Sequence, residues 1–197
     1  MKDRIRRRGV LCVGLCVLAI GGCRSAPTRL YSLSMLPASQ GKVPYAGPPV
    51  RVDAVHLPAE TDRVEITTQM ATGGLEIHEF DHWAAPLSTM ARQTLTADLI
   101  ARLPPGKVIL APLDKAESAL GLNVAILRFS ADPGGPEFVA SWQVSGRTPA
   151  GGGDVVTLKS HSAATAGGVA DCFSELLAQL ADRIAGQLAA TAASSSP

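Results

Sequence analysis

The strongest periodic signal in the chain lies in residues 169–188, whose sequence is VADCFSELLAQLADRIAGQL. Its apolar side chains recur at intervals of three and four, at positions 169, 172, 173, 176, 177, 180, 184 and 188. On an α-helix this spacing places them along one side, whereas residues such as Asp171 and Arg183 fall elsewhere. The pattern therefore predicts a long amphipathic helix that buries its apolar side against another element.

A second amphipathic helix is predicted earlier in the chain. Pro86 suits the first turn of a helix, because the N–H that proline lacks would be unpaired there anyway. Pro104, Pro105 and Gly106 mark the end of this helix. Its apolar stripe consists of Leu87, Ala91, Leu95 and Leu99, widened by Met90 and Ile100, and its other sides are assigned to Arg92, Gln93, Thr96 and Asp98.

Most of the remaining segments have the properties of strands. The predicted strands are residues 29–35, 50–55, 64–68, 75–80, 108–110, 122–130, 137–147 and 154–164. Gly73 and Gly74 indicate a hairpin between the third and the fourth, and glycine-rich turns join the last three into an antiparallel meander. The sequence therefore predicts an α+β fold in which two amphipathic helices cover a mostly antiparallel sheet.

Length and composition narrow the class of protein. A chain of 197 residues, 46% hydrophobic and 18% charged, has enough apolar material for one buried core. Residues 1–22 hold five basic side chains and one acidic one, which leaves 13 basic and 16 acidic residues beyond them. A mildly acidic body repels phosphates, so the composition argues against binding to nucleic acid.

The N-terminus has the layout of an export signal. Residues 1–8 are basic, residues 9–22 are uncharged, and Ile20-Gly21-Gly22-Cys23 follows. The uncharged run reaches about 22 Å as a helix, short of the roughly 30 Å of a bilayer core. Its end resembles the lipobox of bacterial lipoproteins, which implies cleavage after Gly22 and acylation of Cys23. The alternative is an ordinary secretory signal that happens to contain a cysteine.

The same features predict the domain organisation. Residues 1–22 form a lipoprotein signal peptide, and residues 23–49 form a lipidated cysteine and a proline-rich tether with one short strand. Residues 50–190 form a single periplasmic α+β domain, and residues 191–197 form a disordered tail. Once the leader is removed and Cys23 is acylated, only Cys172 remains in the body, where its apolar neighbours predict a packed side chain and no disulfide.

No constellation of residues indicates catalysis, a metal or a cofactor. The chain has no Gly-x-Ser-x-Gly motif. His78 and His82 are four residues apart, but they lie before the helix that Pro86 begins, so they do not form a ligand pair on a helix. The glycine pairs lack the lysine and hydroxyl residue of a phosphate loop. The sequence therefore predicts no enzyme activity, no metal site and no cofactor.

Three stretches resemble the PqiC family, also called YmbA, the lipoprotein auxiliary components of ABC-type transport systems. They are Tyr31-Ser32-Leu33, residues 50–66 with Leu57-Pro58 and Asp62-Arg63, and residues 82–87 with Trp83, Pro86 and Leu87. The motifs cover residues 29–105, and the order of elements agrees over residues 106–190. The glycine-rich C-terminal half departs from the family pattern.

The resemblance implies a non-enzymatic subunit that works with an MCE-domain protein of the PqiB type in lipid transport or membrane integrity. Arg24 follows Cys23 where an aspartate favours the inner membrane, so the implied location is the periplasmic face of the outer membrane. Trp83, Pro58, Asp62 and Arg63 are the partner-binding candidates. For Trp83 the alternative is packing on the sheet. A homo-oligomer is compatible with this role.

Two other functions remain open at this stage. The first is another small envelope lipoprotein, such as an assembly factor or an activator of a cell-wall synthase, since these share the anchor and an α+β domain. The second is a lipid-anchored hydrolase, which the missing motifs disfavour.

Overall fold

The computed structural model describes residues 26–69, 73–110, 118–132, 135–146, 155–160 and 165–194. The predicted signal peptide and Cys23 lie outside these residues. Seven strands and two helices follow in the order β1 Arg29–Tyr31, β2 Val50–His56, β3 Glu65–Gln69, β4 Leu75–Trp83, α1 Leu87–Arg102, β5 Leu120–Asp132, β6 Gly135–Ser145, β7 Val155–Lys159 and α2 Ala166–Ser194. None of the helices in the described ranges is long and apolar enough to cross a membrane.

The strands form two sheets. The first has three strands in the order β1-β4-β3, and the second has four in the order β2-β5-β6-β7. The predicted hairpin of β3 and β4 and the predicted meander of β5, β6 and β7 are both antiparallel, as expected. β1 pairs with β4 and β2 with β5 in parallel, so each sheet is mixed. The α+β class is confirmed, with two sheets where the sequence led us to expect one.

Several predicted strands have different limits. β1 ends at Tyr31, and residues 108–110 contribute only an isolated bridge from Val108 to Val50. Residues 191–194, predicted as part of the tail, belong to the last turn of α2.

The helix α1 corrects three predictions about its faces. Leu87, Leu95 and Leu99 are fully buried, as predicted, but Ile100 is 42% exposed. Asp98, assigned to an outer side, is fully buried, and so is Arg102 at the helix end. Thr96, also assigned to an outer side, is buried as well. Compared with the predicted apolar stripe, the buried side of α1 is therefore shifted around the helix. It includes positions 91, 94, 95, 98 and 102, which lie three and four residues apart.

One aromatic ring on α2 connects the two sheets. The ring of Phe173 makes edge contacts with Trp83 of β4 at 6.3 Å, and with Phe129 of β5 and Phe138 of β6 at 5.2 Å between centroids. All four residues are buried. Edge-to-face pairs at such distances stabilise beyond the area that they bury. The core of the domain is centred where this helix packs on both sheets.

Candidate functional site

The fold begins close to the predicted lipid anchor. Cys23 lies outside the described residues, and β1 starts at Arg29. Arg29 donates from Nε to Oδ1 of Asp81 at 2.6 Å and from Nη2 to Oδ2 at 2.7 Å, which fixes β1 to β4. These bonds lower the pKa of Asp81. The six residues from Cys23 to Arg29 can span at most about 20 Å.

Residues 32–43, which we call the strap, lie across both helices. Ser34 N donates to Ser174 Oγ of α2 at 3.0 Å, and Leu36 N donates to Asp98 Oδ1 of α1 at 2.9 Å. Val43 N donates to the carbonyl of Arg102 at 2.9 Å. The proline-rich segment predicted as a tether is therefore attached to the domain along residues 32–43.

Arg102 is the centre of the strap's attachment. Its Nε donates to Asp182 Oδ1 at 2.6 Å, and its Nη2 lies 3.2 Å from Asp182 Oδ2. Its Nη1 donates to the carbonyl of Leu36 at 3.3 Å and to that of Asp98 at 3.0 Å, and Nη2 also reaches the carbonyl of Pro37 at 3.5 Å. One buried guanidinium thus joins α1, α2 and the strap. Sequence reasoning missed this role, because an arginine at a helix end is usually solvated.

Asp98 is the member of this network whose burial as a charged group costs free energy. Its side chain is fully buried, and Oδ2 has no hydrogen-bond partner among the described residues. Burial raises the pKa of Asp98 to about 6, although the Leu36 N–H and the Arg102 guanidinium both favour the charged form. The folded chain therefore binds the Asp98 proton more tightly than the unfolded chain does.

We expect this carboxyl to lower stability as the pH rises from about 4 to about 6, because the folded state then binds more protons than the unfolded state. Asp98→Asn removes this dependence, and its amide oxygen still accepts from Leu36 N. The free energy of unfolding of the variant, minus that of the wild type, should therefore rise by about 1–3 kcal/mol from pH 4 to pH 7. Urea unfolding at five pH values measures the difference. If the free energies of unfolding of the two proteins changed equally with pH, the expectation would be contradicted.

Trp83 does not offer its ring to a partner. Its side chain is 5% exposed and packs against Phe173. The alternative interpretation packs Trp83 on the sheet, and the structure buries its ring against Phe173 of α2. The burial leaves too little surface for Trp83 to anchor another protein in this conformation.

The other three partner-binding candidates lie together around the turn before β3. Asp62 and Arg63 are exposed, and Pro58 is half-buried. Asp62 Oδ1 accepts from Ser88 N at 3.2 Å, in the first turn of α1, and Arg63 pairs with Glu65 at 3.5 Å. Asp62 and Arg63 therefore each pair with another residue and not with each other.

Asp62 also lines an open cleft between β2 and α1, with a volume of about 310 Å³. The other polar groups in its wall belong to Asp53, His56, Ser88, Thr89 and Arg92. Asp53 is already paired with Arg51 at 2.6 Å. The cleft is shallow and mixed in charge, and it contains no nucleophile held by a base.

The remaining reactive side chains do not form a site in the described residues. No group of three or more histidine, cysteine, aspartate or glutamate side chains is placed to hold a metal ion there. His82 Nε2 lies 3.0 Å from the carbonyl of Glu79. Burial raises the pKa of the Cys172 thiol to about 11, so Cys172 is a packed core residue and a poor nucleophile.

An apolar stripe on the first sheet was not predicted as a site. Leu75, Ile77 and Phe80 of β4 are 43–45% exposed, and Leu30 of β1 is 68% exposed. Leu30 pairs with His82, so the stripe continues from β4 onto β1. Strict alternation would place Phe80 on the face opposite Leu75 and Ile77. The register of β4 against β3 shifts between His78 and His82, so this alternation is interrupted, which could not be predicted from the sequence.

The comparisons with known proteins agree with this fold. No curated protein matches the chain. A crystal structure described as an uncharacterized protein has a TM-score of 0.63 and 20% identity, and covers 83% of this chain and 99% of its own. The crystal structure of protein XCC0632 from Xanthomonas campestris, of the family model DUF330, has a TM-score of 0.61 and 16% identity. The match covers 85% of this chain and 97% of that one.

The family itself follows from the sequence match. A family model described as the ABC-type transport auxiliary lipoprotein component matches residues 31–185. This range contains all of α1, α2 as far as Ala185, the strap and six of the seven strands in full. The resemblance that Tyr31, Pro58 and Trp83 indicated is confirmed, and it extends through the glycine-rich C-terminal half. The chain therefore belongs to the family of ABC-type transport auxiliary lipoprotein components.

Proposed function

We propose that this chain is the lipid-anchored, non-enzymatic auxiliary subunit of an MCE-type transport system, at the periplasmic face of the outer membrane. The family match over residues 31–185 carries the proposal. The lipobox at residues 20–23 supports it, because it supplies the anchor that a lipoprotein family requires. The mature chain would begin at Cys23 and continue as one folded unit.

The role of such a subunit is positional. Each buried methylene of an acyl chain contributes about 0.8 kcal/mol, so two or three chains on Cys23 would hold the protein on the bilayer. The linker before β1 is short, and the strap is fixed to α1 and α2 by Arg102 and Asp98. The folded domain would then stay close to the membrane surface, where it can dock the outer end of an MCE-domain protein that is anchored in the inner membrane.

Co-purification tests the partnership. The acylated protein is extracted in mild detergent with an affinity tag at its C-terminus, and the proteins recovered with it are identified by mass spectrometry. We expect an MCE-domain protein in amounts comparable to the bait. A bait that is acylated and folded but recovered without any MCE-domain protein would refute this partnership.

Replacing the predicted anchor tests the location. Cys23→Ser removes the thiol that carries the lipid, so the variant should lose processing after Gly22 by the lipoprotein route and should be missing from the outer-membrane fraction. Mass spectrometry of the N-terminus and membrane fractionation measure both effects. Cys172→Ser is the matched control, because Cys172 is buried in the folded domain and plays no part in anchoring. A wild-type N-terminus with a free thiol would contradict the proposal.

A further inference from the structure

The strand β4 has an edge that its own chain leaves uncovered. β1 pairs only with Asp81–Trp83 of β4, which begins at Leu75. Within the described residues no strand pairs with residues 75–80 on the side away from β3. The carbonyl of Glu79 already lies 3.0 Å from His82 Nε2, and the other N–H and C=O groups on this side of residues 75–80 are available to another strand.

Pro27 explains why β1 does not begin earlier in the chain. The carbonyl of Tyr31 accepts from Ala84 N at 2.8 Å, so the backbone groups of Tyr31 and Arg29 point towards β4. Pro27 comes next in this alternating series, and proline has no N–H to donate. The chain before β1 therefore cannot extend the parallel ladder along residues 75–80 without a break.

The side chains around the free edge favour a protein strand. Leu75, Ile77 and Phe80 are exposed there, while Glu76 and Glu79 form no ion pair with the described residues. Residues 75–80 contain no lysine or arginine. A strand in which apolar residues alternate with lysine or arginine would complement both the apolar stripe and the two carboxylates.

Two other occupants fit the edge less well. In the antiparallel pairing of two copies that uses all six residues, Glu76 faces Glu79 of the second copy, and like charges directly opposite each other are destabilising. A lipid bilayer offers no partners for free backbone groups, which are costly in hydrocarbon. Glu76 and Glu79 would also be repelled by anionic lipids.

We propose that residues 75–80 of β4 are the docking site for a β-strand of the MCE-domain partner, with apolar and basic residues in alternation. This inference rests on the proposed function for the identity of the partner. The added strand would continue the three-stranded sheet beside β1, close to the membrane anchor. Main-chain hydrogen bonds would supply affinity, and the contacts to Ile77 and Glu79 would supply specificity.

Photo-crosslinking in the cell tests which molecule lies on this edge. A photoreactive amino acid is placed at position 77 or 80 of the full-length chain, and at position 155 as the control. Val155 is 63% exposed and lies on β7, the edge strand of the other sheet. We expect positions 77 and 80 to crosslink to the MCE-domain protein, within a segment of alternating apolar and basic residues, and position 155 not to do so. Crosslinks to lipid or to a second copy would overturn the inference.

Charge reversal measures the strength of the contact. Glu76→Lys combined with Glu79→Lys should lower the amount of MCE-domain protein recovered by about tenfold, which corresponds to about 1.4 kcal/mol. Both residues are exposed, so an unchanged melting temperature is the control for folding. Hydrogen exchange should also show new protection of residues 75–80 in the wild-type complex.

The failures of the two proposals can be told apart. If the MCE-domain protein is recovered equally with wild type and with the charge-reversed variant, and residues 75–80 gain no protection, the docking site is wrong and the proposed function stands. If the acylated wild type recovers no MCE-domain protein, the proposed function fails, and the assignment of this strand fails with it.

Discussion

Replacing Arg102 with methionine is expected to lower the free energy of unfolding by about 3–5 kcal/mol, because it breaks a buried ion pair from one side. Methionine fills much of the same volume but donates no hydrogen bond. The carboxylate of Asp182 and the carbonyls of Leu36 and Pro37 would then lose their donor. Urea unfolding at pH 7 measures the effect, and a change below about 1 kcal/mol would contradict it.

Two further variants separate the causes of this loss. Arg102→Lys keeps a charge but cannot reproduce the planar fork, so we expect an intermediate loss. Adding Asp98→Asn and Asp182→Asn to the methionine variant removes both carboxylates that Arg102 pairs with, and this should recover part of the stability. The strap should also become sensitive to protease in Arg102→Met, since Leu36 and Pro37 lose their contacts to the guanidinium. Equal protease resistance would show that the strap is held by other contacts.

The contrast between Arg102 and the rest of α1 shows what periodicity predicts and what it misses. A stripe of leucines at intervals of four predicts the helix and the buried side of Leu87, Leu95 and Leu99. It assigns every polar residue to solvent, so it cannot predict that Asp98 is buried. Whether a charge is buried depends on a partner distant in sequence, here Asp182, 80 residues from Arg102.

The pairing of strands has the same dependence on distant residues. The hairpin of β3 and β4 is predictable, because a Gly-Gly turn joins two neighbouring strands. The parallel pairs of β1 with β4 and of β2 with β5 join segments separated by other elements, and alternation in one strand carries no information about its partner. The split into two sheets, and the free edge of residues 75–80, follow from those pairings and could not be predicted.

The partner-binding candidates show a related limit. Tryptophan is frequent at the centres of interfaces, which makes Trp83 a candidate, but the same large ring is frequent in cores. The sequence does not distinguish the two cases. In the fold, Trp83 is buried against α2, while the exposed apolar residues belong to β4 and β1.

Phe173→Ala is expected to lower the free energy of unfolding by about 3–5 kcal/mol, because it opens a cavity where three other aromatic rings meet. Phe173 is fully buried on α2, and its ring contacts Trp83 of one sheet and Phe129 and Phe138 of the other. The neighbouring rings come from different sheets, so they cannot close the cavity without moving the sheets. Guanidinium unfolding followed by circular dichroism gives the value.

Phe173→Leu is the matched control. Leucine keeps most of the apolar volume and loses the edge contacts between rings, so its cost should stay near 1–2 kcal/mol. The difference between the alanine and leucine variants then measures the cavity. If both variants lost the same small amount, Phe173 would not couple the sheets, and α2 would have to be held on them by its leucines alone. A large loss in alanine only, with a weaker near-ultraviolet signal from the Trp83 environment, would show that one ring joins the three-stranded sheet to the rest of the domain.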